Sequence, residues 1–265
     1  MYLQLKSINK TFENTDKESL SDICLDIEKN EFICIVGPSG CGKSTLLNLV
    51  AGLLTPTSGE ILLDGERVAQ PGPDRVMMFQ EAALYPWLNV RQNVMFGLAA
   101  AGHTKSEQLE LSEKYLRMVQ LWNYREYPIH QISGGMKQRT ALARALAMDS
   151  KLLLMDEPFS ALDKQTINVL REELENIWEK THKTILYVTH SVEEAIYFAD
   201  RVVVMSENPG RIREIIPITL ERPRHLENEQ FMQLRQRILQ SVKDGVRKSI
   251  QKEFDSEEQE AANEN

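Results

Sequence analysis

The chain has 265 residues, of which 42% are hydrophobic, enough for one large α/β domain with a small appendage. A net charge of −8 at pH 7 argues against binding to nucleic acid, and the three cysteines show neither metal-ligand nor secreted-disulfide spacing. The sequence lacks an apolar run of about 18 residues and a signal-peptide core. We therefore expect a cytoplasmic protein that reaches a membrane only through a partner.

The N-terminal part of the chain predicts two kinds of strand. Residues 1–8 and 20–28 alternate polar and apolar side chains, and the turn-like segment 14–19 between them predicts an antiparallel layer. The continuous apolar run at 32–36 instead predicts a central strand covered on both faces. A glycine-rich loop and a helix follow this strand.

The middle of the chain changes to helical spacing. It predicts a helical subdomain, about 83–148, inserted into the core. The core resumes with the apolar strand 152–155 and continues as alternating helices and strands. This alternation predicts an α/β fold with a mainly parallel sheet, in a domain spanning 1–225.

The C-terminal part predicts one more helix. Apolar residues at helical spacing indicate a helix over 226–253, and a tail at 254–265 rich in Glu, Asn and Gln predicts disorder. The apolar stripe is interpreted as packing against its own domain, with a regulatory or dimer-supporting role as the alternative. The arginines at 222 and 224 are candidates for a local basic patch.

A complete phosphate-binding pattern follows the central strand and opens a helix. Glycine lets backbone N–H groups turn inward around a phosphate, and the helix N-terminus adds positive potential. Lys43 would reach the β- and γ-phosphates, the Ser44 hydroxyl would ligate Mg²⁺, and Cys41 is either a tolerated small residue or an activated thiol. The pattern is Gly37, Pro38, Ser39, Gly40, Cys41, Gly42, Lys43, Ser44 and Thr45.

Two carboxylates follow the apolar strand 152–155. Asp156 and Glu157 would stand at the carboxyl end of a parallel strand, where open α/β sheets bind ligands. Asp156 would hold Mg²⁺ through water, and Glu157 would act as general base toward an attacking water. The other interpretation is a strand that merely ends in solvated acids.

Further polar elements each have an ordinary explanation when taken alone. Gln80 would be a solvated loop residue and His190 a surface histidine. Phe12 would be core packing, and the sequence Ser133-Gly134-Gly135 would be a helix cap and turn. Because these elements occur together and in a particular order along the chain, chance does not explain their combination.

In this order, over roughly 1–225, the elements resemble those of ATP-binding cassette (ABC) ATPases. The resemblance implies a RecA-like P-loop core with an N-terminal antiparallel β layer. It also implies that ATP and Mg²⁺ are the cofactors, and that each ATP is held between the phosphate loop of one copy and Ser133-Gly134-Gly135 of a second copy. Ile132 and Met136 depart from the commonest form of the family motif, which has leucine and glutamine there.

The resemblance assigns a role to each remaining residue. Gln80 would contact Mg²⁺ and sense a partner domain, and His190 would hydrogen-bond the γ-phosphate. The segment from Ser160 to Asp163 would cross the dimer seam. Phe12 would stack on adenine, with Tyr2 as the weaker alternative.

Several segments resemble one importer branch of the family, which serves nitrate, taurine, alkanesulfonates, bicarbonate and some heterocyclic vitamin precursors. That branch implies a homodimer of ATPases at the cytoplasmic face of the cell membrane, a separate permease, and a periplasmic or lipid-anchored substrate-binding protein. Tyr85, Pro86 and Trp87 would either pack internally or wall a groove for the permease. The segments are 73–75, 79–81, 84–88, 93–94, 134–139, 208–212 and 222–224.

Three rival functions remain at this point. A soluble ABC ATPase acting on nucleic acid or ribosomes predicts a second cassette, a coiled-coil insertion, zinc cysteines or a basic face, none of which the sequence shows. A non-hydrolysing nucleotide-dependent module predicts damage at Glu157 or His190, and both are intact. A generic P-loop kinase leaves Ser133-Gly134-Gly135 unexplained.

Overall fold

The structure is a computed structural model that describes residues 1–13, 17–160, 164–207 and 209–263. The chain divides into two compact units. Unit 1 comprises Met1–Gln70 and Val188–Asn265, and unit 2 comprises Pro71–Tyr187. Within the described ranges, no helix has both the length and the apolar character needed to span a membrane.

The described residues form ten strands and seven α-helices, and the two kinds of element alternate strictly between residues 152 and 206. The strands are β1 (Leu3–Thr11), β2 (Glu18–Ile27), β3 (Phe32–Val36), β4 (Ser58–Leu63), β5 (Glu66–Arg67), β6 (Arg75–Met78), β7 (Leu152–Asp156), β8 (Thr184–Val188), β9 (Arg201–Ser206) and β10 (Arg211–Pro217). The helices are α1 (Lys43–Ala51), α2 (Val90–Ala100), α3 (Lys105–Met118), α4 (Gly134–Ala147), α5 (Lys164–Thr181), α6 (Val192–Phe198) and α7 (Glu229–Asn263). Short 3₁₀ helices lie at Trp122–Tyr124 and Ile129–Gln131.

Unit 1 contains an antiparallel sheet of order β2-β1-β4-β5. In β1, Leu3 and Leu5 are both buried, and they pair with Ile27 and Leu25 of β2. Because alternate side chains of a strand point to opposite faces, this register buries one apolar face of the sheet. The antiparallel N-terminal layer predicted from the sequence is confirmed.

Unit 1 also holds three strands in the order β10-β9-β3. Strand β3 runs parallel to β9, with Cys34 opposite Val202, while β10 is antiparallel to β9. All five residues of β3 are buried, and the ring of Phe32 stacks on that of Phe198 in α6, with 5.3 Å between centroids. The continuous apolar run therefore forms a covered strand, as predicted.

The terminal helix α7 packs on β9 and α6 within unit 1. Phe231 and Ile238 on its apolar stripe are fully buried. This packing agrees with the first interpretation of the apolar stripe, in which it packs against its own domain. The helix continues to Asn263, past the end predicted at 253 and into the segment whose composition predicted disorder.

The two arginines at 222 and 224 do not form the basic patch considered from the sequence. Arg224 is only 4% exposed, and its guanidinium donates hydrogen bonds to the carbonyls of Ile196 and Ala199 at 2.6 and 2.7 Å. Arg222 donates to the Asp200 carboxylate at 2.9 Å. Both guanidinium groups are therefore hydrogen-bonded to acceptors within unit 1.

Unit 2 combines strands in the order β8-β7-β6 with helices α2, α3 and α4, which pack on one another. Strands β6 and β7 are parallel, with Met77 opposite Leu154. Asn89 and Thr104 are the N-cap residues of α2 and α3, and each forms a capping box. In a capping box the side chains of the N-cap residue and of the third helical residue each accept a hydrogen bond from the other's backbone N–H. The predicted subdomain boundaries, 83–148, stay a prediction.

Candidate functional site

The phosphate loop leads from β3 into α1 through a left-handed glycine. Gly42 caps the helix with φ of 89°, and a Cβ atom there would lie 2.5 Å from Cδ2 of Leu20. Its carbonyl accepts the first helical hydrogen bond, from the N–H of Leu46 at 2.8 Å. This tight entry brings the backbone amides of the loop to the positive end of a helix, which is an anion-binding arrangement.

The side chain of Lys43 is folded into the loop. It is 5% exposed, and its Nζ donates to the carbonyls of Gly37 and Pro38 at 2.9 and 2.8 Å. A buried ammonium is stabilised only by such bonds, and a phosphate oxygen is a stronger partner than a carbonyl. The residues present therefore fit a nucleotide phosphate.

The thiol of Cys41 is buried inside this loop. Burial raises the pKa of the Cys41 thiol, and the nearby Lys43 ammonium offsets only part of that rise. The Sγ atom lies 3.8 Å from Nζ of Lys43. The raised pKa disfavours an activated thiol and leaves Cys41 as a small buried residue of the loop.

The segment just before β10 packs closely against the phosphate loop. A Cβ atom at Gly210 would collide with the carbonyl of Cys41. The N–H of Gly210 donates to the Ser19 carbonyl at 3.0 Å, and its own carbonyl accepts from Ser21 at 2.9 Å. The sequence analysis names Gly210 only as part of an importer-type segment, and no sequence pattern predicts its contact with the phosphate loop.

The carboxylates Asp156 and Glu157 stand at the end of β7. Glu157 has φ of 45°, in the left-handed region that a glutamate rarely adopts. The hydroxyl of Ser160 donates to the Glu157 carbonyl at 3.0 Å, and the Ser160 N–H donates to the same oxygen at 3.2 Å. A strained residue held by its surroundings is typical of functional sites.

Gln80 is joined to this turn. Its Nε2 donates to the Ser160 hydroxyl at 3.2 Å, a bond that uses the amide nitrogen and not the oxygen a metal would bind. Gln138, which the sequence analysis names only as part of the importer-type segment 134–139, donates from Nε2 to the carbonyls of Gln80 and Pro158. On the sequence alone, Gln138 is one polar residue among several on a helix.

The Ser133-Gly134-Gly135 segment begins α4. Ser133 is the N-cap residue, and its Oγ accepts from the N–H of Met136 at 3.3 Å. Because that bond uses a lone pair, the hydroxyl hydrogen can still donate to an anion. Ser133 and Gly134 are exposed, so the segment serves as a helix cap and also presents donors at a helix N-terminus.

His190 is exposed, between two anchored neighbours in unit 1. The Thr189 N–H donates to the carbonyl of Ile35 at 3.2 Å, and the Thr189 hydroxyl donates to Glu194 at 2.8 Å. Ser191 caps α6 by accepting from the N–H of Glu194 at 3.2 Å. The backbone on both sides of His190 is therefore fixed.

The two candidates for adenine stacking differ in exposure. Phe12 is 39% exposed, and the ammonium of Lys10 lies 5.2 Å from its ring centroid. Tyr2 is buried, so its ring offers no face to a nucleotide. Phe12 remains the predicted residue. Asp163 lies outside the described residues.

The predicted metal ligands fall in both units, with Ser44 in unit 1 and Gln80 and Asp156 in unit 2. In the described part of the chain, no cluster of three or more His, Cys, Asp or Glu side chains could hold a metal ion. Mg²⁺ in nucleotide sites takes much of its coordination from phosphate oxygens and water.

An aromatic surface lies before and within α2. Trp87 is 74% exposed, and its ring is 5.5 Å from that of Tyr85, which is 4.2 Å from that of Phe96. Arg144 holds this loop by donating to the carbonyls of Ala82 and Ala83. The two interpretations of this segment are internal packing and a groove for the permease. Internal packing fits Tyr85, whereas the ring of Trp87 is exposed to solvent and is available for a partner.

The chain is similar to known proteins over most of its length. The family model described as ABC transporter matches residues 20–160. An uncharacterised ABC transporter ATP-binding protein of Methanocaldococcus jannaschii is 49% identical over 250 residues, 94% of either chain. A nitrate import ATP-binding protein of Synechocystis sp. is 49% identical over 222 residues, 83% of this chain and 84% of that one. A dimeric ATP-binding cassette bound to ADP and Pi matches with a TM-score of 0.73 at 29% identity, over 83% of this chain and 100% of its own.

Proposed function

The chain belongs to the ABC transporter family of ATP-binding proteins, and from this premise we propose that it hydrolyses ATP to drive an importer. The solute class is a small anion or related solute of the nitrate, sulfonate, taurine or bicarbonate type. The observation that carries the proposal is the exposed Ser133-Gly134 cap of α4, a second set of anion donors besides the phosphate loop. A nucleotide site within one chain has no need of it.

The ATP site is completed by a second copy of the chain. Two copies bind two ATP molecules head to tail, and each nucleotide lies between the phosphate loop of one copy and Ser133-Gly134-Gly135 of the other. Both surfaces are helix N-termini, so the triphosphate charge is met by backbone amides from two sides. The relative described as a dimeric cassette supports this arrangement.

Hydrolysis is divided among residues of the chain. Glu157 accepts a proton from the attacking water, and Lys43 and His190 hold the phosphates. The family resemblance assigns Asp163, which is outside the described residues, to the dimer seam. The residues that would hold Mg²⁺ are Ser44, Gln80 and, through water, Asp156, and the ion would neutralise charge on the phosphates. Phe12 stacks on adenine.

The partners follow from the importer function. The ATPase lies at the cytoplasmic face of the membrane and contacts a separate permease through the aromatic surface around Trp87. A substrate-binding protein delivers the solute to the permease. The rival function, a soluble ABC ATPase acting on nucleic acid or ribosomes, has no observation in its favour: the net charge is −8.

Replacing the general base tests the proposal. Glu157→Gln removes the carboxylate that accepts the water's proton but keeps its shape, so we expect ATP turnover to fall by at least about 100-fold. The variant should also form an ATP-dependent dimer in size-exclusion chromatography, because binding continues without hydrolysis.

The matched control is Glu179→Gln, an exposed glutamate on α5, which should turn over ATP at the wild-type rate. A Glu157→Gln protein that hydrolyses ATP normally would remove Glu157 from the role of base. A stalled variant that stays monomeric with saturating ATP would contradict the shared site.

A further inference from the structure

One buried amide connects three segments of the proposed site. Gln138 lies on α4, in the second turn after Ser133-Gly134-Gly135, and is 5% exposed. Its Nε2 donates to the carbonyl of Gln80 at 3.1 Å and also to the carbonyl of Pro158, the residue after Glu157. A single side chain therefore spans the helix of the anion donors, the loop of Gln80 and the end of the catalytic strand.

The orientation of this amide is fixed by its partners. Both partners are carbonyl oxygens, which can only accept, so the NH₂ group must face them. The amide oxygen of Gln138 is buried and has no hydrogen-bond partner among the residues the structure describes. A buried acceptor without a partner lowers stability, and this cost offsets the modest net contribution of the two donated bonds.

The bonds close into a ring. Gln80 donates through its own side chain to Ser160 at 3.2 Å, and Ser160 donates to the Glu157 carbonyl at 3.0 Å. Pro158 follows Glu157 in the chain and accepts from Gln138. Glu157 is thus held on both sides, in a left-handed conformation that it would not adopt freely.

We infer that Gln138 is a positioning residue for ATP hydrolysis, which sets the register of Gln80 and Glu157 relative to the α4 helix. The inference rests on the proposed hydrolytic function. Gln138 acts only through the backbone of its partners. A catalytic base must be held within hydrogen-bonding reach of its water, and a displacement of about 1 Å can cost a large factor in rate.

The test is Gln138→Met, which keeps the volume of the side chain and removes both donors. We expect kcat for ATP hydrolysis to fall about tenfold, because Glu157 and Gln80 lose their common anchor. The dissociation constant for ATP should stay within about twofold of wild type, since the two hydrogen bonds that Gln138 donates go to the backbone carbonyls of Gln80 and Pro158 and not to a group proposed to hold the phosphates. Steady-state kinetics and titration with a fluorescent ATP analogue measure the two quantities separately.

A double-mutant cycle with Ser160→Ala separates positioning from general loosening. If Gln138 and Ser160 belong to one ring, the double variant should be little slower than the slower single variant. Losses in kcat that multiply independently would overturn the inference. So would wild-type kcat in Gln138→Met.

Two further comparisons keep the result interpretable. Gln233→Ala removes an exposed glutamine from α7, where it makes one long bond of 3.4 Å to Glu229, and should behave as wild type. If Gln138→Met fails to fold, Gln138→Leu, a second apolar side chain that removes both donors, must show the same selective loss of kcat. A wild-type chain that hydrolyses no ATP contradicts the proposed function, whereas an active wild type with unaffected Gln138 variants contradicts only this inference.

Discussion

Cys41 shows how the surroundings of a residue decide its chemistry. It lies at the N-terminal end of a helix, a place that lowers the pKa of exposed thiols. Here the side chain is completely buried, and the resulting desolvation raises the pKa of the Cys41 thiol above its ordinary value. A raised pKa leaves a smaller thiolate fraction at neutral pH, so the residue is a weak nucleophile.

Alkylation rates measure this difference. We expect iodoacetamide to modify exposed Cys24 at least about tenfold faster than Cys41 at pH 7, as followed by peptide mass spectrometry. Raising the pH should speed the labelling of Cys41, because the thiolate fraction grows as the pH approaches the raised pKa. Modification should block hydrolysis by bulk.

Bound ATP is the control for position. If Cys41 lines the nucleotide site, ATP should slow its labelling further and leave Cys24 unchanged. Equal rates for the two cysteines would contradict the burial argument, and equal Cys41 labelling with and without ATP would contradict its place in the site.

Residues whose role is local could be predicted from the sequence, and residues whose role depends on distant segments could not. Gly42 and Lys43 act within one loop, so a contiguous pattern identifies them. Gln138 matters because it meets the carbonyls of Gln80 and Pro158, 58 and 20 positions away. No spacing rule on α4 distinguishes it from a solvated glutamine.

At the scale of secondary-structure elements, the C-terminal end of α6 is capped by a residue that follows the last strand, β10. The guanidinium of Arg224 donates to the carbonyls of Ile196, Tyr197 and Ala199, at the C-terminal end of α6. These carbonyls lack helical partners and carry the negative end of the helix dipole. Arg224 therefore caps the helix that follows His190.

Removing this cap should destabilise unit 1. Arg224→Ala leaves several buried carbonyls unsatisfied, so we expect the free energy of unfolding to fall by about 3 kcal/mol, measured by urea denaturation. Arg237→Ala is the control, because its ion pair with Glu214 is exposed and should contribute less than about 1 kcal/mol. Equal effects of the two substitutions would contradict the capping role.

The elements themselves were largely predictable, because their signals are local. Burial of Leu3 and Leu5 at the start of β1 and of every residue in β3 follows the polar and apolar pattern directly. The arginines near 222 illustrate the limit: charge in the sequence suggested an exposed patch, whereas folding buries Arg224 against α6. Sequence charge does not reveal carbonyl partners supplied by other elements.

At the scale of the whole molecule, the proposed function requires a surface through which the ATPase contacts its membrane partner. The proposed function assigns transport to a separate permease, and within the described ranges no helix has the length and apolar character to cross a membrane. Trp87 is the most exposed aromatic side chain among the described residues, and it stands beside Tyr85 on a loop that Arg144 holds in place. An exposed tryptophan on a fixed loop is typical of interface hot spots.

Trp87→Ala should separate transport from hydrolysis. Removing the ring takes away contact area with the permease, so we expect solute uptake by a reconstituted transporter to fall about tenfold or more. Basal ATP hydrolysis by the isolated ATPase should stay within about twofold of wild type, because Trp87 belongs to no predicted nucleotide contact. Tyr124→Ala, at another exposed aromatic of unit 2, is the control and should affect neither rate. Normal uptake by the Trp87→Ala transporter would show that the permease is engaged elsewhere.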